Sequence, residues 1–361
     1  MKKILFVCET KAQVFNSIAI RQSTYRDDEA DICICNKTGI LDNVIELLKE
    51  EKIFNKVFTF QMPYRPKQDI LSFAIKSYVN VGIIGKIKKK LNDLPTNYSK
   101  VFVSGPDLAC VSIYYLLKKY NTQIQLCLYE EGIFEYYIFT YKYNTIKRLY
   151  SKFIYGSYYL DEVKEIYVYY PRAIVCKPKS VKACTIPNTF DECFTNTVNK
   201  IFSYNKEELS MMYNCKFLFV ESCFDDNRGA NVQYELIKMM YENVGDSLVV
   251  KLHPRSAITK YNKIGVKCMT TKQSMEIIML NNKLDNVTFI SMYSSAILNL
   301  KFMFNMTPKV IMLNDVFNIL EHDKGVISLI NNFRHCYPKD KLLMPKGVEE
   351  FAKFIETIKD K

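Results

Sequence analysis

Glycine is scarce in this chain, with 11 among 361 residues, below the usual ~7%. Neither a G-x-G-x-x-G turn nor a Walker-type loop is present. Dinucleotide and ATP use lose support, since such sites need backbone that approaches phosphate closely. Tryptophan is absent and only three histidines occur. The 12 cysteines form no C-x-x-C pair and lack the dense spacing of a small disulfide scaffold. They read as reduced core residues of a cytosolic protein. No apolar run approaches the ~18 residues of a membrane span. The run Ile4 to Cys8 behind Lys2 and Lys3 is shorter than a signal-peptide core and leads into Glu9 and Lys11, so it reads as a first strand. Repeats and low-complexity tracts are also missing.

The chain does have enough apolar residues for large cores, at 48% hydrophobic and 24% charged. Single cores stop growing near ~250 to 300 residues, so two domains are expected. Strand-like runs at Ile4 to Cys8, Ala30 to Cys35, Val57 to Gln61, Val101 to Ser104 and Ile124 to Tyr129 alternate with helical patterns such as Asp42 to Lys52. A second series runs through Phe217 to Val220, Leu248 to Leu252, Val287 to Ser291 and Val310 to Leu313. Alternation of this kind predicts α/β domains with parallel sheets. The expected division is residues 1–205, residues 216–345 and a last helix in 346–361 that packs back on the first domain, with a linker over Ser203 to Asn214.

A formal net charge of +12 favours anionic partners. Two basic, aromatic tracts, Ile83 to Lys90 and Tyr141 to Tyr159, suit an anionic membrane surface, although solvated helix faces explain them more simply. No nucleic-acid-binding module accompanies them.

Three polar clusters each follow an apolar run: Glu130-Glu131-Gly132, Lys251-Leu252-His253-Pro254-Arg255, and Ser294-Ser295. In open α/β sheets ligands bind beyond the carboxyl ends of the strands, which is where these clusters fall. A carboxylate held among apolar groups can serve as a general base, and Glu131 is the candidate. Glu130 points the other way on the strand and orients it, while Gly132 allows a sharp turn. An imidazole at His253 offsets negative charge on a leaving phosphate, with Pro254 restricting its backbone and Lys251 and Arg255 adding positive charge. Ser294 and Ser295 open a predicted helix whose amides and hydroxyls suit a phosphate. Glu276 lies in an apolar segment and needs a hydroxyl or amide partner. The plain alternatives are a solvated turn, a structural histidine, a serine helix cap and an internal salt bridge. Asp225-Asp226, followed by Asn227, Arg228 and Gly229, reads as a turn rather than a metal site.

Together these motifs resemble those of bacterial sialyltransferases. Leu128 to Gly132, continuing to Glu135-Tyr136, is similar to their D/E-D/E-G motif, His253-Pro254 to their HP motif, and Ser294-Ser295 to their paired serine/threonine motif. The segment Ser274 to Met279 is similar to the one whose glutamate holds the nucleotide ribose. His-Pro-Arg and the opening Leu5 to Thr10 followed by Gln13 most resemble glycosyltransferase family 52, which contains lipooligosaccharide sialyltransferases. The resemblance implies a GT-B-like fold, two Rossmann-like parallel-sheet domains facing a cleft. It implies an inverting, metal-independent transfer of sialic acid from CMP-sialic acid to a terminal sugar, galactose being expected, of a lipooligosaccharide or capsular glycan.

In that scheme Glu131 is the base, His253 the acid, Glu276 the ribose holder, and Ser294 with Ser295 the phosphate clamp. Pro254 and Arg255 join the donor site, and Glu130, Gly132 and Lys251 support it. No cofactor and no metal are expected beyond the donor substrate, and nucleic acid is not an expected partner. The expected setting is cytoplasmic, at the inner face of a bacterial plasma membrane, with peripheral contact to anionic lipid and a homodimer as further expectations. The rivals are a family 52 hexosyltransferase with another nucleotide sugar, favoured by the Glu-Glu pair and by Ile133-Phe134 after the glycine, and a non-catalytic nucleotide- or glycan-binding protein.

Overall fold

The computed structural model describes residues 2–36, 39–61, 93–105, 107–143, 156–213, 215–224, 227–271, 273–316 and 323–359, with positions 89, 148, 149 and 152 between them. The chain divides into two compact units, Met1–Phe202 and Ser203–Lys361.

The first unit holds a seven-stranded sheet of β1 (Lys3–Cys8), β2 (Glu29–Asn36), β3 (Lys56–Gln61), β4 (Lys100–Val103), β5 (Gln125–Tyr129), β6 (Val163–Val168) and β7 (Lys182–Thr185), in the order β3-β2-β1-β4-β5-β6-β7. Every pairing is parallel. Ile4 to Cys8 are fully buried. That agrees with their unbroken apolar run, because a parallel strand is covered on both faces and shows no alternation. β1 pairs with both β2 and β4, so the order of strand addition reverses between β1 and β4. Ligand crevices form at such reversals in α/β sheets.

The second unit holds β8 (Phe217–Val220), β9 (Leu248–Lys251), β10 (Lys267–Met269), β11 (Thr288–Ser291), β12 (Val310–Met312) and β13 (Leu342–Leu343), ordered β10-β9-β8-β11-β12-β13. These pairings are parallel too. In chain order this is 3-2-1-4-5-6, the order of dinucleotide-binding sheets, with the reversal between β8 and β11.

The units meet at Phe202 and Ser203, the start of the expected linker, and within Ser203 to Asn214 the residues Leu209 and Met212 are buried. The last helix, Val348–Lys359, places Phe351, Ile355 and Ile358 in the second unit's own core with Leu236, Ile237 and Met240 of the helix Asn227–Val244. It completes that core.

All 12 cysteines are free, but they are not all core residues. Cys8, Cys33, Cys35, Cys110, Cys127 and Cys215 are buried, whereas Cys176 and Cys193 are exposed. Among the described residues no helix is long and apolar enough to cross a membrane. The tract Ile83 to Lys90 lies outside the described residues except for Lys89, and Tyr141 to Tyr159 is described only in part. Within it Arg148 pairs with Asp161 at 2.9 Å.

Candidate functional site

The first unit's candidate site lies at the reversal between β1 and β4. Beyond β1, Thr10 caps the helix Lys11–Ser23 by accepting a hydrogen bond from the Gln13 amide. Gln13 is buried on the first turn of that helix and sends its side-chain Nε2 to Glu131 Oε2 at 2.6 Å and to Ser104 Oγ. Ser104, just past β4, donates to the same Glu131 oxygen at 3.1 Å. Glu131 itself follows β5 and is partly exposed. Three strand ends thus converge on one carboxylate.

Its neighbours divide clearly. Glu130 is 1% exposed and accepts from Tyr136 Oη at 2.7 Å and from the Tyr169 amide at 2.8 Å. Its carbonyl accepts from Asn16, which in turn accepts from Tyr169 Oη at 2.7 Å. A buried charge so surrounded is a structural anchor of the turn. Glu135 is equally buried, and its Oε2 accepts the amides of Glu131 at 3.1 Å and Gly132 at 3.4 Å. Burial first, and then the negative charge of Glu131, push the Glu135 carboxyl up to about 7 against the pull of those amides. The glycine in left-handed backbone here is Gly105 (φ 64°) at the end of β4. Gly132 contributes its amide to the turn.

In the second unit, β8 and β9 end side by side at Glu221 and His253. Glu221 is 2% exposed and accepts from the His253 amide at 2.8 Å, Lys260 Nζ at 2.5 Å and Tyr261 Oη at 2.9 Å. Burial alone would raise its carboxyl, but these donors outweigh burial and hold it below the usual carboxylate range. The His253 backbone is therefore fixed by a charged hydrogen bond. On its ring, Nδ1 accepts the Arg255 amide at 3.1 Å, so the neutral tautomer carries its proton on Nε2. Burial, followed by the charge of Arg255, lowers the proton affinity of the ring. His253 is thus a neutral N–H donor near pH 7. Lys251 is buried with its Nζ 3.3 Å from the Leu252 carbonyl and 3.4 Å from that of Thr271, while Pro254 and Arg255 are exposed.

At the reversal between β8 and β11, Ser222 and Ser291 share a hydroxyl hydrogen bond of 3.2 Å. Ser291 Oγ accepts the Ser294 amide at 3.2 Å, and Ser222 Oγ that of Tyr293 at 3.3 Å. Ser294 caps the helix Ser295–Phe302 through Ala296 N at 3.3 Å, and Ser295 is its first residue. The plain cap reading is realised for Ser294, and a cap still leaves neighbouring helix amides to meet an anion. Glu276, in the first turn of Met275–Asn281, accepts from Asn299 Nδ2 at 3.3 Å. An amide partner answers its need, and links it to the helix that Ser294 opens.

Within each unit the predicted residues sit at the carboxyl edge of the sheet. Gln13, Ser104, Glu135, Glu221, Ser222 and Ser291 are not among the expected site residues, although Gln13 and Glu135 stand beside the motifs. Asp225-Asp226 lies outside the described residues, and among those described no group of three His, Cys, Asp or Glu residues could hold a metal ion.

No family model matches this chain, and no curated protein does. Solved structures resemble it over nearly its whole length. A protein assigned as a UDP-N-acetylglucosamine 2-epimerase of Listeria monocytogenes has TM-score 0.58 at 15% identity, covering 100% of this chain and 89% of that one. The α/β-galactoside α-2,3-sialyltransferase of Photobacterium phosphoreum has TM-score 0.52 at 13% identity, covering 95% and 98%. UGT71G1 of Medicago truncatula, complexed with UDP-glucose, has TM-score 0.53 at 11% identity, covering 99% and 93%. Two parallel sheets with strand reversals, and likeness extending through both, make the fold GT-B-like.

Proposed function

We propose that this protein is an inverting glycosyltransferase that moves sialic acid from CMP-sialic acid to a sugar hydroxyl of a bacterial surface glycan. The observation that carries the reading is the second unit's strand edge: His253, Glu276 and the Ser294-Ser295 cap occupy the ends around one reversal, with Glu276 tied through Asn299 to the capped helix. In the reaction the acceptor oxygen bonds to the anomeric carbon as the bond from that carbon to the CMP phosphate oxygen breaks. The hydroxyl proton passes to Glu131, and the leaving phosphate keeps the electron pair. A phosphate monoester has its second pKa near ~6, so it departs near neutral pH without taking a proton. The Nε2–H of a neutral His253 then suffices as a hydrogen-bond donor, and the role of acid narrows to that of donor. Glu276 holds the ribose, and the helix amides behind Ser294 and Ser295 meet the phosphate.

Incubation with CMP-sialic acid and a panel of galactosides should release CMP, and chelator should leave the rate unchanged. Glu131→Gln and His253→Asn should each lower kcat by ~10²-fold or more. Near-normal turnover in both, with circular dichroism intact, removes the mechanism. The likeness to UDP-bound and epimerase structures favours keeping a second reading, chemistry on a nucleoside diphosphate sugar. Release of a nucleoside diphosphate, or an epimerised donor without acceptor, identifies it.

A further inference from the structure

Gln13 is a buried side chain at the first site to which the chemistry above gives no role. It is 2% exposed, and a buried amide must have both of its polar ends matched. Its Oε1 accepts the Glu9 amide, which fixes the orientation of the group, because a backbone N–H has only a proton to offer. Nε2 therefore faces the other way, toward Ser104 Oγ and Glu131 Oε2. An amide NH₂ can only donate, so the oxygen it meets must accept. Ser104 donates to that same oxygen at 3.1 Å. Among the described residues, Glu131 Oε1 has no hydrogen-bond donor of this kind.

We propose that Gln13, seconded by Ser104, is a positioning residue that engages Oε2 of Glu131 as a permanent acceptor and leaves Oε1 as the oxygen that takes the acceptor's proton. The inference rests on the reading of Glu131 as base and deepens it. The orientation is set from three strand ends, so the carboxylate cannot turn without breaking two hydrogen bonds. The titratable groups around Glu131 are Cys8 on β1, Tyr129 on β5, Cys110 on the helix Leu108–Lys118 and Glu135 on the following turn. Burial pushes the first three up, so near neutral pH they carry no charge, whereas Glu135 is pushed up to about 7.

The test uses the full chain with Gln13→Leu, Gln13→Glu and Ser104→Ala, each checked for folding by circular dichroism. Gln13→Leu should lower kcat roughly 10- to 100-fold with little change in donor KM, because geometry rather than binding is lost. Its acidic limb should move upward, since a carboxylate deprived of a donor loses stabilisation of its charged form. Gln13→Glu should move that limb further, as two carboxyls in contact share one proton. Ser104→Ala should act in the same direction by less, and keeps the test open if the Gln13 variants do not fold. The same variants, with glutamate carboxyls labelled with carbon-13, give a readout without turnover: the resonance missing from Glu131→Gln is titrated. An upward shift in that midpoint supports the hydrogen-bonded arrangement even if no sugar nucleotide is turned over, an outcome that would instead overturn the proposed function. A fixed midpoint and fixed limb, with only a rate loss, overturn the role of Gln13.

Discussion

Glu135 carries a pH signature set by its burial. Its folded value near 7 lies above the 4.5 of the free side chain. Between those values the folded state binds more protons than the unfolded, so stability falls as pH rises through that window, by roughly 3 kcal/mol in all. Glu135→Gln keeps an acceptor for the Glu131 amide and removes the charge. Urea denaturation at pH 5, 6 and 7 should show a shallower decline for this variant than for the parent. His253 acts with the opposite sign: its lowered proton affinity makes stability rise with pH up to its unfolded value. At this scale the sequence exposed the motif residues and hid their partners. Glu131 was legible as a charge at the end of an apolar run. Gln13 and Ser104 reach it across 118 and 27 residues of chain, and only a folded sheet brings them there. Glu135 needed the turn itself, since its role depends on two backbone amides.

Among elements, the helix Asn227–Val244 shows how tightly the second reversal is packed. An added Cβ at Gly229 would lie 2.2 Å from Phe224 Cδ1. The Phe224 ring meets Tyr293 edge-on at 5.4 Å, and Tyr293 donates through its amide to Ser222. Gly229→Ala should therefore displace the ring and destabilise the protein by about 1–3 kcal/mol, read as a lower denaturation midpoint. Phe224→Leu combined with it should recover part of the loss. Gly229 stood in the sequence only as part of a turn after Asp225-Asp226, because its close contact is three-dimensional. The central strands were readable because burial on both faces leaves a solid apolar run, as in β1, β5 and β8. β10 and β13 were not, having three and two residues, and β7 at the sheet edge offers the mixed, partly exposed Lys182 to Thr185. Ser203 to Asn214 reads as polar, yet Leu209 and Met212 within it are buried.

For the whole molecule, the net charge of +12 gives a prediction separate from the chemistry. Vesicles of mixed phosphatidylcholine and phosphatidylglycerol should co-sediment the protein at low salt and release it as ionic strength rises, with phosphatidylcholine alone failing to do so. Binding to both kinds of vesicle equally would show that charge is not the cause. Two domains were legible from length and from two strand series. The partners of the last helix in the second unit's core were not, because an amphipathic helix states that it covers something apolar without stating what. The junction at Phe202 and Ser203 has a practical consequence. Among the described residues the first sheet's strands end at Thr185 and the second's begin at Phe217. A gene cut there would encode two polypeptides that each keep the described strand pairings of one sheet, and producing them apart and then mixing them asks whether either half retains CMP.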